Sequence, residues 1–238
     1  MTGPSANVAV ILPAAGSGRR FGGSENKLFA ALGGQPIWLR TARRLCRHRR
    51  VRRVVMPVSQ ADRSRFESEF AEPLSELSIQ LVDGGAERTD SVRAGLDAVR
   101  QDPAVELVAV HDAARPLVRA ADLDAVFAKA DQSGAAILAT PVTATVKQSF
   151  DQGRSCRTVD RSTLWLAQTP QVFRVDVLLN AYRKHRGRPA TDDAELVQRI
   201  GIDVALVSGS ADNLKITHPD DLVVAEAILK SQNESTHA

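Results

Sequence analysis

Chemistry-bearing residues gather where apolar runs give way to small and charged ones. The first such place is Pro13-Ala14-Ala15-Gly16-Ser17-Gly18-Arg19-Arg20, with a further cation at Lys27. From Ala14 to Gly18 there is almost no side chain. Backbone N–H groups there can approach an anion closely, as in phosphate-cradling loops. Arg19, Arg20 and Lys27 bring positive charge to the same place. Two common phosphate motifs do not fit. Gly16-Ser17-Gly18 opens a G-x-G-x-x-G, but Phe21 stands where the third glycine belongs, and there is no Gly-Lys pair for a P-loop. Gly-x-Gly alone is equally compatible with a strand-to-helix loop carrying surface arginines.

A second place is Asp83-Gly84-Gly85-Ala86-Glu87-Arg88-Thr89-Asp90-Ser91. Glycines at a strand's end, then a helix with Arg88 and Ser91 in its first turns, predict a ligand-facing loop. A routine turn N-capped at Thr89 or Asp90 is the alternative. The third is His111-Asp112-Ala113-Ala114-Arg115-Pro116, at the carboxyl end of a buried strand, where open α/β sheets place ligands. His111 reads as a satisfied structural histidine. Asp112 can help hold a hydrated metal ion beside polyphosphate, or pair with Arg115 to tie the loop down. In Thr191-Asp192-Asp193-Ala194-Glu195, Asp192 and Glu195 have capping-box spacing, which uses one acid and leaves the other to face a site. The last is Asp212-Asn213-Leu214-Lys215-Ile216-Thr217. Lys215 is expected on a short strand between apolar neighbours, with snorkelling from a sheet edge as the bland alternative. Thr217 is expected to cap the final helix.

These places need a frame. Val8 to Leu12 reads as a buried strand that stops at Pro13. Further strands are expected at 51–58, 79–82, 107–110, 135–139 and 204–207, alternating with helical stretches. Such alternation predicts a three-layer α/β fold with a mainly parallel, Rossmann-like sheet. Gly33-Gly34-Gln35-Pro36 is a turn into a helix whose apolar face includes Ile37, Leu39, Ala42 and Leu45. Arginines crowd from Arg40 to Arg53; with no aromatic interleaved to stack on bases, a solvated helix face is favoured over a nucleic-acid patch. Trp165 and Phe173 are expected in the core, and Leu222, Val223, Ala225, Ala227 and Ile228 on the last helix's apolar face. The rhythm breaks between about 141 and 162, where two polar β-favouring segments flank the turn Asp151-Gln152-Gly153. An isolated hairpin is marginal in water, so this one is expected to pack on another chain.

At 238 residues and 43% hydrophobic, the chain predicts one domain, and 4% aromatics predict an aliphatic core. A net charge of +3 suits phosphorylated small molecules as well as nucleic acid. Cys46 and Cys156, without zinc spacing, predict free thiols in a reducing compartment. There is no run of membrane-span length and no basic-then-apolar order in the first six residues, so a soluble cytoplasmic protein is expected.

Pro-Ala-Ala-Gly-x-Gly-Arg-Arg followed by a lysine resembles the signature loop of the sugar-phosphate nucleotidyltransferases, although Asn26-Lys27-Leu28 stands where Pro-Lys-Gln is common. Gly-Gly-x-x-Arg-x-x-Ser (Gly84, Gly85, Arg88, Ser91), His-Asp-Ala-Ala-Arg-Pro, Thr-Pro-Gln at Thr169 and Asp-Asn-x-Lys-x-Thr resemble the cytidylyltransferase branch. That branch acts on polyol phosphates, among them 2-C-methyl-D-erythritol 4-phosphate and ribitol 5-phosphate. The resemblance implies that Pro13, Ala14, Ala15, Gly16 and Gly18 wrap CTP, with Gly84, Gly85, Arg88, Ser91, Asp112 and Ala113 also on the nucleotide. Ala86 departs from members that carry an acid at that position. Arg20 and Lys27 are the implied catalytic residues, and Arg115, Thr145, Arg161, Thr169, Thr191 and Lys215 the implied acceptor contacts. It implies Mg²⁺ held mainly through the CTP phosphates, with no metal site built from protein ligands alone. The hairpin would be the arm of a homodimer and would offer Arg161 to the partner. The implied reaction joins CTP to methylerythritol phosphate, giving 4-diphosphocytidyl-2-C-methyl-D-erythritol and pyrophosphate for non-mevalonate isoprenoid synthesis. The arm and the Asp212–Thr217 block favour that acceptor over another polyol phosphate such as ribitol 5-phosphate. A non-catalytic CTP-binding module is the reading of another class.

Overall fold

Strand β1 (Val8–Ile11) has no exposed residue. Its side chains alternate between two separate apolar clusters, Val8 and Val10 in one and Ala9 and Ile11 in the other. A strand covered on both faces needs this near-continuous apolar run. The computed structural model, which describes residues 7–16, 21 and 26–234, builds the frame outward from it. Strands β4 (Val51–Val58) and β6 (Leu107–Val110) flank β1, and β5 (Ile79–Asp83) lies beyond β4. On the other side the order continues through β10 (Trp165–Arg174), β7 (Ala135–Pro141) and β11 (Ala205–Ser208). Every pairing in this seven-stranded sheet is parallel except those of β10, which runs antiparallel to both neighbours. The expected three-layer α/β class is therefore observed, with a mixed sheet.

One face is covered by α1 (Ile37–Cys46), α2 (Gln60–Glu69), α3 (Ala71–Glu76), α5 (Ala120–Ser133) and α8 (Asp220–Glu234), the other by α4 (Arg88–Val99), α6 (Val175–Lys184) and α7 (Asp193–Gln198). Ile37, Leu39, Ala42 and Leu45 do form the buried face of α1, joined by Trp38. Before it, Gly33 and Gly34 take φ of +54° and +75° in the tight turn between β2 (Ala31–Leu32) and β3 (Gln35–Pro36), a region glycine enters without steric cost. α2 ends with its C-cap at Phe70, and a further short helix, α3, begins at the next residue.

Several expectations are corrected. Trp165 is 39% exposed, because it opens β10 beyond the helical cover, while Phe173 on the same strand is buried as expected. Lys215 lies on no strand: the segment from 213 to 217 is an irregular loop pinned by Ile216 N–H donating to the Ala114 carbonyl at 2.9 Å. Thr217 does not cap α8; the Asp221 carboxylate accepts from the N–H groups of Thr217 and His218 at 2.7 and 2.8 Å. On α8 the buried residues are Ala225 and Leu229, and Val223 and Ala227 are exposed. The hairpin is present as β8 (Val146–Gln148) paired antiparallel with β9 (Arg157–Val159), a two-stranded sheet separate from the main one. Its turn contains Gln152 and Gly153 at positive φ.

Candidate active site

β1, β4, β5 and β6 are parallel, so their carboxyl ends and following loops share one edge of the sheet. Ala14 N–H donates to the Pro57 carbonyl at 2.8 Å and Ala14 bridges to Val58, so the first loop stays against β4 past Pro13. Gly84 N–H donates to the Val58 carbonyl at 2.8 Å, which lays the second loop beside the first. A Cβ on Gly84 would lie 2.4 Å from that of Ala15, and one on Gly85 would lie 2.2 Å from that of Asp90. Both glycines are therefore needed for close approach. Gly16 faces open space.

A cavity of about 190 Å³ opens between these loops. Pro13, Ala14, Ala15, Gly16, Lys27, Gly85, Arg88, Ser91, Asp112, Ala113 and Lys215 all line it. Gly84 lies beneath Ala15. Gly18 and Arg20 fall outside the described residues. Lys27 Nζ donates to the Ile216 carbonyl at 2.8 Å, so the lysine of the first loop is held beside the Lys215 segment.

Asp112 is the electrostatic centre. Lys215 Nζ lies 2.9 Å from its carboxylate, Arg115 3.4 Å and Arg88 3.9 Å. Burial opposes its ionisation, but Lys215, Arg88 and Arg115 prevail and hold its pKa well below the carboxylate range. Three cations around one carboxylate leave net positive charge at the cleft, which suits a polyanionic ligand. The Asp112–Arg115 pair and a ligand-facing Asp112 are thus compatible. His111 is fully buried: Nε2 meets the Arg115 carbonyl at 3.1 Å and Nδ1 the Thr169 hydroxyl at 3.2 Å. Burial pushes its pKa down to about 4, as suits a structural imidazole. The Thr169 hydroxyl also accepts from Asp112 N–H at 3.0 Å, so Thr169 supports Asp112 from below the cavity.

The helix carrying Arg88 starts differently from expectation: Glu87, not Thr89 or Asp90, is the N-cap, in a capping box with Asp90. Ser91 donates to the Glu87 carbonyl and accepts from Gly85 N–H, both at 3.2 Å, so its hydroxyl shapes the loop from inside. Arg88 makes its shortest ion pair, 2.8 Å, with the fully buried Asp193. Burial counts against the charged guanidinium, but Asp193 and Asp112 raise its pKa overall. Asp193 also accepts from the Tyr182 hydroxyl at 2.6 Å. Sequence reasoning missed Asp193. The available signal was the Asp192-Asp193 doublet at a helix start, where one acid caps and its neighbour is left over. Neither Asp192 nor Glu195 is free: Asp192 accepts from Glu195 N–H and from Gln171, and Glu195 binds Thr191 and Arg199. Asn213 was also missed as a support; it is fully buried, its side-chain amide donates to the Thr169 carbonyl at 2.8 Å, and its main-chain carbonyl accepts from Arg115 at 2.6 Å.

Thr145, Arg161 and Thr191 are exposed and do not line this cavity. Among the described residues no group of three or more His, Cys, Asp or Glu side chains could hold a metal ion by itself, and no helix is long and apolar enough to cross a membrane.

Fold and cleft together define an α/β protein with a cationic cleft at the carboxyl edge of its parallel strands. The family model described as 2-C-methyl-D-erythritol 4-phosphate cytidylyltransferase matches residues 8–231. A protein of that name from Rhodopirellula baltica is 52% identical over 234 residues, covering 94% of this chain and 96% of the relative. The crystal structure of the enzyme of that name from Thermus thermophilus is 35% identical with a TM-score of 0.76, covering 95% of this chain and 100% of that one. A 4-diphosphocytidyl-2C-methyl-D-erythritol synthase structure from Anaerococcus prevotii gives a TM-score of 0.81 at 27% identity, covering 94% and 98%. The chain belongs to the 2-C-methyl-D-erythritol 4-phosphate cytidylyltransferase family.

Proposed function

We propose that the chain joins CTP to 2-C-methyl-D-erythritol 4-phosphate, releasing pyrophosphate and giving 4-diphosphocytidyl-2-C-methyl-D-erythritol for isoprenoid synthesis. The observation that carries this reading is the cleft around Asp112, with Lys27, Lys215 and Arg88 at its wall, in a chain of this family. An acceptor phosphate oxygen attacks the α-phosphorus of CTP in line; the new P–O bond forms as the α–β bridge breaks, and pyrophosphate carries off the electron pair. Two anions must meet, so positioning and electrostatic stabilisation supply the catalysis. Lys27 and Arg20 would stabilise the transferring group. The small-residue loop, with Gly16 and Gly18, would hold the triphosphate. The loop around Gly84, Gly85, Arg88 and Ser91 would receive cytosine. Lys215, Arg115, Thr169 and Thr191 would serve the acceptor, with Thr145 and Arg161 supplied from the hairpin of a second subunit. Mg²⁺ held mainly through the CTP phosphates fits a cleft in which Asp112 is the carboxylate not used for capping; bound there, it would neutralise phosphate charge. The chain would act as one nucleotidyltransferase unit, cytoplasmic, with the segment at about 141–162 as its dimerising arm.

Pyrophosphate release is the direct test. CTP with methylerythritol phosphate should turn over well above CTP with ribitol 5-phosphate. UTP should be a poor donor, because a site that hydrogen-bonds one base edge leaves groups unpaired with another. Equal turnover of UTP and CTP below saturation would overturn the base assignment, and preference for ribitol 5-phosphate the acceptor.

A further inference from the structure

A second concave site lies away from the catalytic cleft and shares no lining residue with it. It encloses about 570 Å³ between α1, the start of α5 and the last turn of α8. Arg40, Arg43 and Arg44 line it from α1, Arg47 from the residue that ends that helix, and Arg119 from the residue before α5. The spacing 40, 43, 44, 47 puts four guanidinium groups on one helix face, where residues three and four apart are neighbours. Among the described residues their countercharges are few. Arg43 meets Glu76 at 3.4 Å, and Arg119 pairs with Asp212. Glu226, which accepts from Gly33 N–H, acts on Arg40 from a distance. Arg44 is held by the Val118 carbonyl and the Gln232 amide oxygen, which fix it without neutralising it. Arg47 is exposed and makes no hydrogen bond or ion pair through its side chain among the described residues. Burial lowers the pKa of Arg44, and the charges of Arg40, Arg47 and Arg119 lower it further. The amino end of α5, fourteen residues long, opens onto the same hollow at Ala120, and no side chain caps it. A helix amino end presents N–H donors and partial positive charge, which adds to the guanidinium field.

We propose that this hollow is a binding site for a small phosphate-class polyanion, separate from the catalytic cleft. Guanidinium groups match phosphate oxygens in paired hydrogen bonds, and several arginines on one concave wall can bind more than one phosphate group. The hollow admits a metabolite-sized ligand. Among the described residues it is lined by no aromatic side chain on which a base could stack, which disfavours single-stranded nucleic acid.

The test is calorimetric titration of the full chain with inorganic pyrophosphate, on the native protein and two variants. Arg47→Glu places a carboxylate in the hollow at an exposed position where the native side chain loses no hydrogen bond or ion pair to a described residue, so folding is preserved; Arg47→Lys keeps the charge and loses the fork. Besides the product site at the catalytic cleft, the native chain should show a second pyrophosphate site that Arg47→Glu weakens by about tenfold or more, Arg47→Lys weakens less, and Lys27→Ala in the catalytic cleft leaves in place. CTP turnover without added pyrophosphate should be the same in Arg47→Glu and the native enzyme. A second site that is absent, unaffected by Arg47→Glu, or abolished by Lys27→Ala would overturn the proposal. So would a single-stranded oligonucleotide that binds this face more tightly than pyrophosphate. None of these readings depends on the acceptor assigned above, since a failed turnover assay would leave the titration intact.

Discussion

At the residue scale the cleft rests on two buried groups that do not line it. His111 is held neutral, its pKa pushed to about 4 by burial against the ordinary 6.5. Its folded-state pKa is depressed, so its contribution to stability is complete above pH 6.5 and is lost as pH falls towards 4. Asp112, also depressed, adds its own loss below the ordinary 3.8. Urea midpoints should therefore fall between neutral pH and about pH 4.5, and His111→Gln should flatten that fall while lowering stability at neutral pH. An unchanged slope would remove His111 as its source. Asp193 is the second group, joining Tyr182 to Arg88. Asp193→Asn keeps the shape and removes the charge. It should cost about 3 kcal/mol, the lower end for breaking a buried pair, because Arg88 retains about a third of its side-chain exposure. Arg88 would then lean on Asp112 in competition with Lys215. KM for CTP should rise, and a KM equal to the native value would show that Asp193 serves the fold alone. The charged residues around the cleft were legible in the sequence, because charged types in loops at strand ends are conspicuous. Asp193 was not, because its role depends on Tyr182 and Arg88, which are distant in sequence and meet only once the sheet has formed.

At the scale of elements, strand and helix order was legible from periodicity, since β1, β4 and β6 are apolar runs bounded by small or charged residues. β10 was not legible as a strand. Its ten residues mix Thr169, Pro170 and Gln171 with apolar ones, and only β6 and β7 on either side hold them extended. Apolar runs also overstate the cover. Val223 is 73% exposed on α8, because hydrophobicity marks what can be buried and tertiary packing decides what is. The contact between the first two loops yields a prediction of its own. Gly84→Ala would press two Cβ atoms together at 2.4 Å, with the Ser91 hydroxyl at 3.0 Å and the Val58 carbonyl at 3.1 Å as further walls. Overpacking of this kind costs about 1–3 kcal/mol. It should also raise KM for CTP by parting the loops. Ala15→Gly removes the nearest obstacle, so the double variant Gly84→Ala/Ala15→Gly should recover part of both losses. Thermal unfolding and CTP kinetics on the three variants decide it, and no recovery would mean that the two loops do not act as a unit.

At the scale of the molecule, two of the residues assigned to the acceptor, Thr145 and Arg161, sit on exposed backbone flanking the hairpin and away from the cavity of their own chain. The hairpin pairs only with itself within the main-chain ladders, and its Phe150 is 79% exposed, covered on one side by Arg157 at 5.3 Å. A two-stranded element of this kind gains order by docking. A C₂ dimer, the commonest closed assembly, would carry it to a second subunit and offer the planar fork of Arg161 to the acceptor phosphate there. Complementation separates this arrangement from action within one chain. Arg161→Ala and Lys27→Ala should each lower kcat by about two orders of magnitude, the scale for losing one transition-state charge contact. Mixed under conditions that exchange subunits, they would give heterodimers in which one site holds both lesions and the other holds intact Lys27 and Arg161 from different chains. With random exchange half the dimers are mixed and each has one sound site, so activity should recover to about a quarter of the native value. Exchange demonstrated by mass labelling without any recovery would place Arg161 in its own chain's reaction or outside the site, and the hairpin would then need a partner other than a second copy.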